Sequence, residues 1–469
     1  MNNSDVRIKS ISIENFKNIE HGYLSFENTR KKYSSSILGL YGQNGSGKTA
    51  LIDAVALLET ALRGQRLPER FADYVNINAA HAKLTYEFRI ADTREARIFT
   101  VLYTLCIRKE QDDASHNTEM AESGGAYKTV LFDESLSAAW EEPDEKSRMT
   151  PVIDTRTDEV FVPKAKYHVL VGKNRQTEVD LLVAKKMSSA ESRSFIFSRQ
   201  LLNVIRKNNR DARNMFVLES LVNFGNFELF VINTANSGLI SMNALPLSFK
   251  YEGSRERAVG NLMLPLNKAT VVPKKEVGVV RKIIDNMNIV LTQLIPGLTI
   301  SVMEMESVMQ RNNTMGCRIQ LLSNRNGRTL PLQYESDGIK KIISILQLLI
   351  VVYNQSSITV AVDELDSGIF EYLLGEILRI ISEKGKGQLI FTSHNLRPLE
   401  TLDRGFIAFT TVNPENRYIR FSNVKTNNNL RDFYYRDIVL GEQNEIVYEP
   451  TNNYDIALAF REAGEISGS

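Results

Sequence analysis

The chain has 469 residues, 43% of them hydrophobic, with 57 Lys/Arg against 56 Asp/Glu. That is enough apolar material for two or three domains, or for one domain with a large insertion. The near-even charge excludes a chain-wide basic field for nucleic acid, and two cysteines outside any CxxC exclude a structural zinc or a disulfide scaffold.

In chain order, residues 8–28 ("IKSISIENFKNIEHGYLSFEN") alternate apolar and polar side chains and predict two strands. "SSILGLY" is a short buried strand leading into Gly42–Thr49, which fits G-x-x-x-x-G-K-[ST]. Leu51, Ile52, Val55, Leu58 and Leu62 then recur at helical spacing. Strand, glycine loop and helix in this order are the context a phosphate-binding loop requires: backbone amides cradle phosphates, the lysine reaches them and the threonine hydroxyl serves Mg²⁺. Gly42, Asn44, Gly45, Ser46, Gly47, Lys48, Thr49 and Ala50 are therefore the candidate nucleotide-binding residues, with a nucleoside triphosphate and Mg²⁺ as ligands. Residues 84–107 read as strands. Residues 109–158 are polar and acidic and read as loops with a few edge strands, Trp140 among them. Residues 109–160 hold 5 Lys/Arg against 14 Asp/Glu, whereas residues 161–280 hold 18 against 9, so the charge segregates within a neutral chain. The basic stretch 185–221 reads as helical, as does the segment from Glu276 to Pro296-Gly297. A meander with a turn at Asn326-Gly327 follows.

"YESDGIKKIISILQLLI" places Ser336, Asp337 and Gly338 just before a helix with Ile339, Ile342, Ile343, Leu346 and Ile350 on its apolar face. Ser336 is a helix N-cap, and a serine-tipped helix N-terminus is also an anion site. The apolar run of this helix, 342–353, is too short to span a bilayer, and the chain opens without an apolar leader; a cytoplasmic protein without membrane contact is expected. "ITVAV" is a buried strand ending in Asp363-Glu364. An aspartate there holds Mg²⁺ through water, and the next glutamate orients or deprotonates an attacking water. A second strand, "GQLIFTSH", ends in His394, placed to sense a γ-phosphate. Cys106 and Cys317 read as strand core residues, and the aromatic cluster "DFYYR" as packing.

Phosphate loop, serine before a helix, strand-Asp-Glu and strand-His, in that order, resemble the ABC-type ATPase head. "IKSISIENFKNIE" resembles the opening strands of its RecF, SMC and OLD-like branch. The resemblance covers about the first 100 and the last 170 residues. It implies an α/β fold, an ABC-type P-loop head with a mixed sheet and an N-terminal antiparallel β-subdomain, carrying a large mixed α+β insertion. The expected division is 1–107 for the first half of the head, 108–295 for an insertion or lid with an acidic loop and then a basic helical region, and 296–469 for the second half. It implies Lys48 on the β- and γ-phosphates, Thr49 and Asp363 on Mg²⁺, Glu364 as catalytic base and His394 as switch residue. Leu365-Asp366-Ser367 form the D-loop, and Ser336 with Gly338 act as a signature offered in trans, reading SDGIK where the family has LSGGQ.

Between Lys48 and Asp363, where SMC-type relatives carry a coiled coil, no heptad repeat is sustained, and the 75 residues after His394 are too few for a Toprim domain. What remains resembles the stand-alone ATPases of prokaryotic two-gene anti-phage systems (PARIS, Septu and RloB-associated types). This implies a homo-oligomer, at least a dimer with ATP, that controls a separate nuclease-type effector. The competing expectation is a RecF-like DNA-repair ATPase contacting DNA through Lys185, Lys186, Arg193, Arg199, Arg206, Lys207, Arg210 and Arg213. That same stretch also suits an acidic partner, or the chain's own acidic segment.

Overall fold

The structure is a computed structural model. It describes residues 4–28, 35–111, 127–208, 210–232, 244–252, 257–265, 268–309, 315–421, 429–441 and 443–466.

Two six-stranded sheets organise the chain. The first is antiparallel and comprises β1 (Ser4–Phe16), β2 (Ile19–Ser25), β4 (Ala82–Asp92), β5 (Arg97–Gln111), β6 (Tyr127–Glu141) and β7 (Thr150–Asp154), in the order β2-β1-β4-β5-β6-β7. Residue 107 lies within β5, and the sheet continues to Asp154. The second holds β3 (Ser36–Tyr41), β8 (Leu229–Ile232), β15 (Thr359–Val362), β16 (Gln388–Thr392), β17 (Ile407–Thr410) and β18 (Tyr418–Ile419), in the order β18-β17-β3-β16-β15-β8. The pairs from β17 to β8 are parallel, and only β18 is antiparallel.

Strands buried on both faces read as continuous apolar runs, and here they alternate between two cores. Leu38, Leu40, Ala361 and Ile390 face a core shared with α1 (Lys48–Leu62) and the antiparallel sheet. Ile37, Tyr41, Val360, Val362, Leu389 and Phe391 face the opposite core. Between β7 and β8 the chain forms α2 (Lys164–Leu170), α3 (Arg175–Ala190), α4 (Arg199–Asn208) and α5 (Ala212–Asn223). It then runs through a hairpin of β9 (Ala244–Glu252) and β10 (Arg257–Pro265). Next come α6 (Lys274–Leu294) and a sheet of β11 (Thr270–Pro273), β12 (Leu298–Met309), β13 (Met315–Arg325) and β14 (Arg328–Pro331). The turn expected at Asn326-Gly327 joins β13 to β14, with both residues at positive φ. Then α7 (Asp337–Asn354) and α8 (Glu371–Lys384) cover the parallel sheet together with α6. The chain closes with α9 (Pro398–Thr401), α10 (Leu430–Leu440) and α11 (Asn453–Ile466). No helix among the described residues is long and apolar enough to cross a membrane.

The α/β fold, with an antiparallel subdomain against a mainly parallel sheet, is the ABC-type head architecture expected. One reading is corrected. Among the described residues of 109–158, where loops with a few edge strands were expected, β6 is an interior strand, paired to β5 on one side and β7 on the other. Lys128, Asp133, Ser135, Ser137 and Glu141 of this strand are not buried, while Val130, Leu131, Leu136 and Ala138 are, together with the polar Thr129 and Glu134. Trp140 accordingly lies on a strand, with the Arg213 guanidinium 4.0 Å from its ring centre. Residues 112–126 fall outside the described set. The basic helical stretch breaks at 191–198, where Phe195, Ile196 and Phe197 turn into the core. Both cysteines are buried on strands, and Phe433 and Tyr434 pack against Phe421 and Phe409.

Candidate functional site

Strand order places the site. Residues Val362 and Phe391 are paired, as are Thr392 and Leu40, so the ends of β15, β16 and β3 are level at one edge of the sheet. Open α/β sheets bind ligands at this carboxyl edge. A cleft of about 310 Å³ lies there. Asn44, Gly45, Gly47, Lys48, Thr49 and Ala50 line it from the loop; Asp363, Glu364 and His394 line it from the other two strand ends.

The loop's shape follows from its glycines and from β17. Gly42 has φ 155°, and a Cβ there would fall 1.7 Å from the Thr410 hydroxyl, so only glycine fits. Gly47, at φ 97°, caps α1 at the cleft, and the free amides of a helix N-terminus favour an anion there. The Ser46 hydroxyl donates to the Gln43 carbonyl at 2.6 Å and pairs with Thr410, so Ser46 braces the loop from behind. Lys48 Nζ donates to the carbonyls of Gly42 and Gln43 at 2.8 and 3.0 Å. Burial lowers the lysine's pKa, opposed by the charges of Asp363, Glu364 and Asp366.

On the acidic side, the Thr392 hydroxyl donates to Asp363 Oδ1 at 2.6 Å and accepts the Glu364 amide at 2.7 Å. Glu364 has φ 49°, a left-handed conformation uncommon for a non-glycine residue. Asp366 accepts the amides of His394 and Asn395 at 3.1 and 2.9 Å, tying the turn after β15 to the end of β16. A Thr49 hydroxyl and an Asp363 carboxylate in one cleft are hard oxygen donors. They suit Mg²⁺, which takes few protein ligands and keeps waters and phosphate oxygens.

Ser336 and Gly338 do not line this cleft. Ser336 caps α7, its hydroxyl accepting the Ile339 amide at 3.4 Å. Gly338 has a packing reason for being glycine: a Cβ there would lie 2.3 Å from the Gly368 carbonyl oxygen.

Several residues at the site were not singled out from sequence. Lys17 and Asn18, in the β1–β2 turn, line the cleft. Lys17 pairs with the buried carboxylate of Asp53, and the Asn18 side chain donates to the Gly45 carbonyl. Arg417 Nη2 donates to the Asn18 carbonyl at 2.6 Å, and the Tyr418 hydroxyl to the Gly47 carbonyl at 3.0 Å. The cation–carboxylate pair of Lys17 and Asp53 was visible only as isolated letters, 36 positions apart in sequence. Lys341 was read as part of a helix and is in fact buried behind the acidic turn.

The fold these elements build is that of an ABC-type P-loop head. A family model described as an AAA domain matches residues 10–134. Among solved structures, the chain is similar to an SMC head bound to the C-winged helix domain of ScpA, at 12% identity, with 89% of this chain and 98% of that chain covered and a TM-score of 0.40. It is similar also to an SMC head with extended coiled coil bound to the C-terminal domain of ScpA from Pyrococcus furiosus, at 11% identity, 89% and 96% coverage and a TM-score of 0.37. The SMC head domain from Thermotoga maritima aligns at 13% identity, 89% and 99% coverage and a TM-score of 0.36. No curated protein shows significant similarity to the chain.

Proposed function

We propose that the protein binds and hydrolyses MgATP as a switch, two copies enclosing nucleotide between them, and that the switch controls a separate effector protein. The observation carrying this reading is the convergence of Lys48, Thr49, Asp363, Glu364 and His394 on one cleft, from three strand ends.

In this reading Lys48 exchanges the Gly42 and Gln43 carbonyls for phosphate oxygens. Thr49 and Asp363 hold the metal, Glu364 orients and deprotonates water, and His394 contacts the terminal phosphate. The magnesium nucleotide supplies the anhydride bond and the cation that neutralises developing charge. Ser336 and Gly338, outside their own chain's cleft, face the nucleotide of a second copy. Nucleotide that touches both copies binds the closed pair more tightly than the open one, which any ligand-driven shift requires. Following the resemblance, the effector is a nuclease-type protein in a prokaryotic anti-phage pair.

The DNA-repair alternative draws on fewer residues than its sequence suggested. Lys185 Nζ donates to the Thr157 and Glu159 carbonyls at 2.6 and 2.7 Å, Arg213 pairs with Glu142 at 3.4 Å, and Arg206 pairs with Glu219 at 3.2 Å. The acidic 109–160 segment thus engages part of the basic stretch. Affinity for duplex DNA that falls by about tenfold or more between low and physiological salt would restore the DNA reading.

Steady-state hydrolysis tests the catalytic assignment. Glu364→Gln is expected to lose about 10²–10⁴-fold in kcat while retaining ATP, as removal of a general base does. Lys48→Ala is expected to lose ATP binding. Normal turnover by Glu364→Gln would overturn the assignment.

A further inference from the structure

Lys341 lies outside the cleft and has no place in the chemistry above. It sits on α7, five residues beyond Ser336, and is only 4% exposed. Its Nζ lies 3.5 Å from the Glu364 carbonyl oxygen, to which it donates. Asp366, Glu364 and Asp363 all act on it electrostatically, against the burial that lowers its pKa. A lysine on a helix that merely packed would sit with its ammonium in solvent. Its neighbour Lys340, by contrast, is paired within α7 to Asp337 at 2.8 Å.

What Lys341 touches is a strained backbone. A non-glycine residue in the left-handed region persists only where its surroundings over-determine it. Three groups hold Glu364 there: Thr392 accepts its amide, while the Ser367 amide, at 3.1 Å, and Lys341 both donate to its carbonyl. Thr392 and Ser367 belong to the β15–β16 edge itself. Lys341 alone of the three comes from α7. The same helix approaches the turn a second time, where Gly338 packs on Gly368 too closely for any side chain between them.

We infer that Lys341 is a positioning residue that couples the Ser336 end of α7 to the backbone of Glu364. Seating of a second copy's nucleotide on Ser336 then reaches this chain's own hydrolytic carboxylate through one helix. A displacement of α7 shifts the Glu364 carbonyl, and a catalytic group misplaced by 1 Å can lose about 10²-fold in rate. Each cleft therefore hydrolyses in step with the engagement of its own α7 by the neighbour. The inference rests on the proposed ATPase reading.

The test compares Lys341→Met and Lys341→Arg with the wild-type chain. Removing one buried cation from beside three carboxylates can itself destabilise the fold, so the unfolding midpoint is read alongside the kinetics. Lys341→Met is expected to bind a fluorescent ATP analogue within about threefold of wild type and to lose at least tenfold in kcat per folded chain. Lys341→Arg, which keeps the charge, is expected to recover part of kcat. In a Glu364→Gln background, Lys341→Met is expected to leave ATP-dependent self-association intact. Two results would overturn the inference: unchanged kcat in Lys341→Met, or a lowered midpoint with kcat falling only as the folded fraction falls. A wild-type chain that binds no nucleotide removes the ATPase reading itself, and this coupling with it.

Discussion

Glu364 shows at the scale of one residue what sequence conveys and what it hides. An acid pair after an apolar strand is a local pattern, so Asp363 and Glu364 could be read from the preceding "ITVAV", and the structure brings both to the cleft with Lys48 and His394. The groups holding Glu364 in place could not be read, because Thr392 and Lys341 reach it through strand register and helix packing. Glu59 is a further residue of this kind. It looks like a solvated helix glutamate, yet burial on α1 raises its pKa to about 7, with Arg63 at 2.7 Å partly opposing. A carboxyl raised in the folded state binds its proton more tightly there than in the unfolded chain. Its contribution is therefore full at low pH and is lost as pH rises from about 4.5 to about 7. Urea denaturation at pH 5 and pH 8 checks this. Glu59→Gln is expected to gain stability relative to wild type at pH 8, by about 1–3 kcal/mol, and little at pH 5. An equal difference at both pH values would exclude Glu59 as the source.

Among elements, the misread β6 is instructive. Composition over 109–158 averages the outward polar face with the buried inward one, so a strand interior to a sheet resembled loop. The parallel strands escaped this error because they are apolar on both faces. How the two sheets join was illegible. β1 pairs with β2 only from Ser10 onward, which leaves Ile8 open on that side at a bulge. Gln388 of β16 fills the gap, donating to the Ile8 carbonyl at 2.8 Å and accepting its amide at 3.1 Å. The Thr359 hydroxyl also donates to this glutamine, at 3.0 Å. Gln388→Leu leaves these buried groups unpaired and is expected to cost about 2–4 kcal/mol in chemical denaturation. A loss below about 0.5 kcal/mol would show that the side chain does not join the sheets.

For the whole molecule, the parallel sheet is a middle layer. One core lies beneath it with α1 and the antiparallel subdomain, and the other above it with α6, α7 and α8. The motif order made this architecture legible, since the phosphate loop, the acid pair and His394 each follow a strand of one sheet. The proposed assembly draws on a mismatch: Ser336 and Gly338 begin a helix beside the cleft but contribute nothing to its lining. Sedimentation velocity of Glu364→Gln with and without MgATP tests the composite pocket most directly, with Ser336→Arg introduced as a second change. The account predicts a shift from monomer to a species of at least twice the 53.1 kDa chain mass on adding MgATP, abolished by Ser336→Arg. A chain that binds MgATP yet stays monomeric, or that assembles equally well with Ser336→Arg, would contradict it.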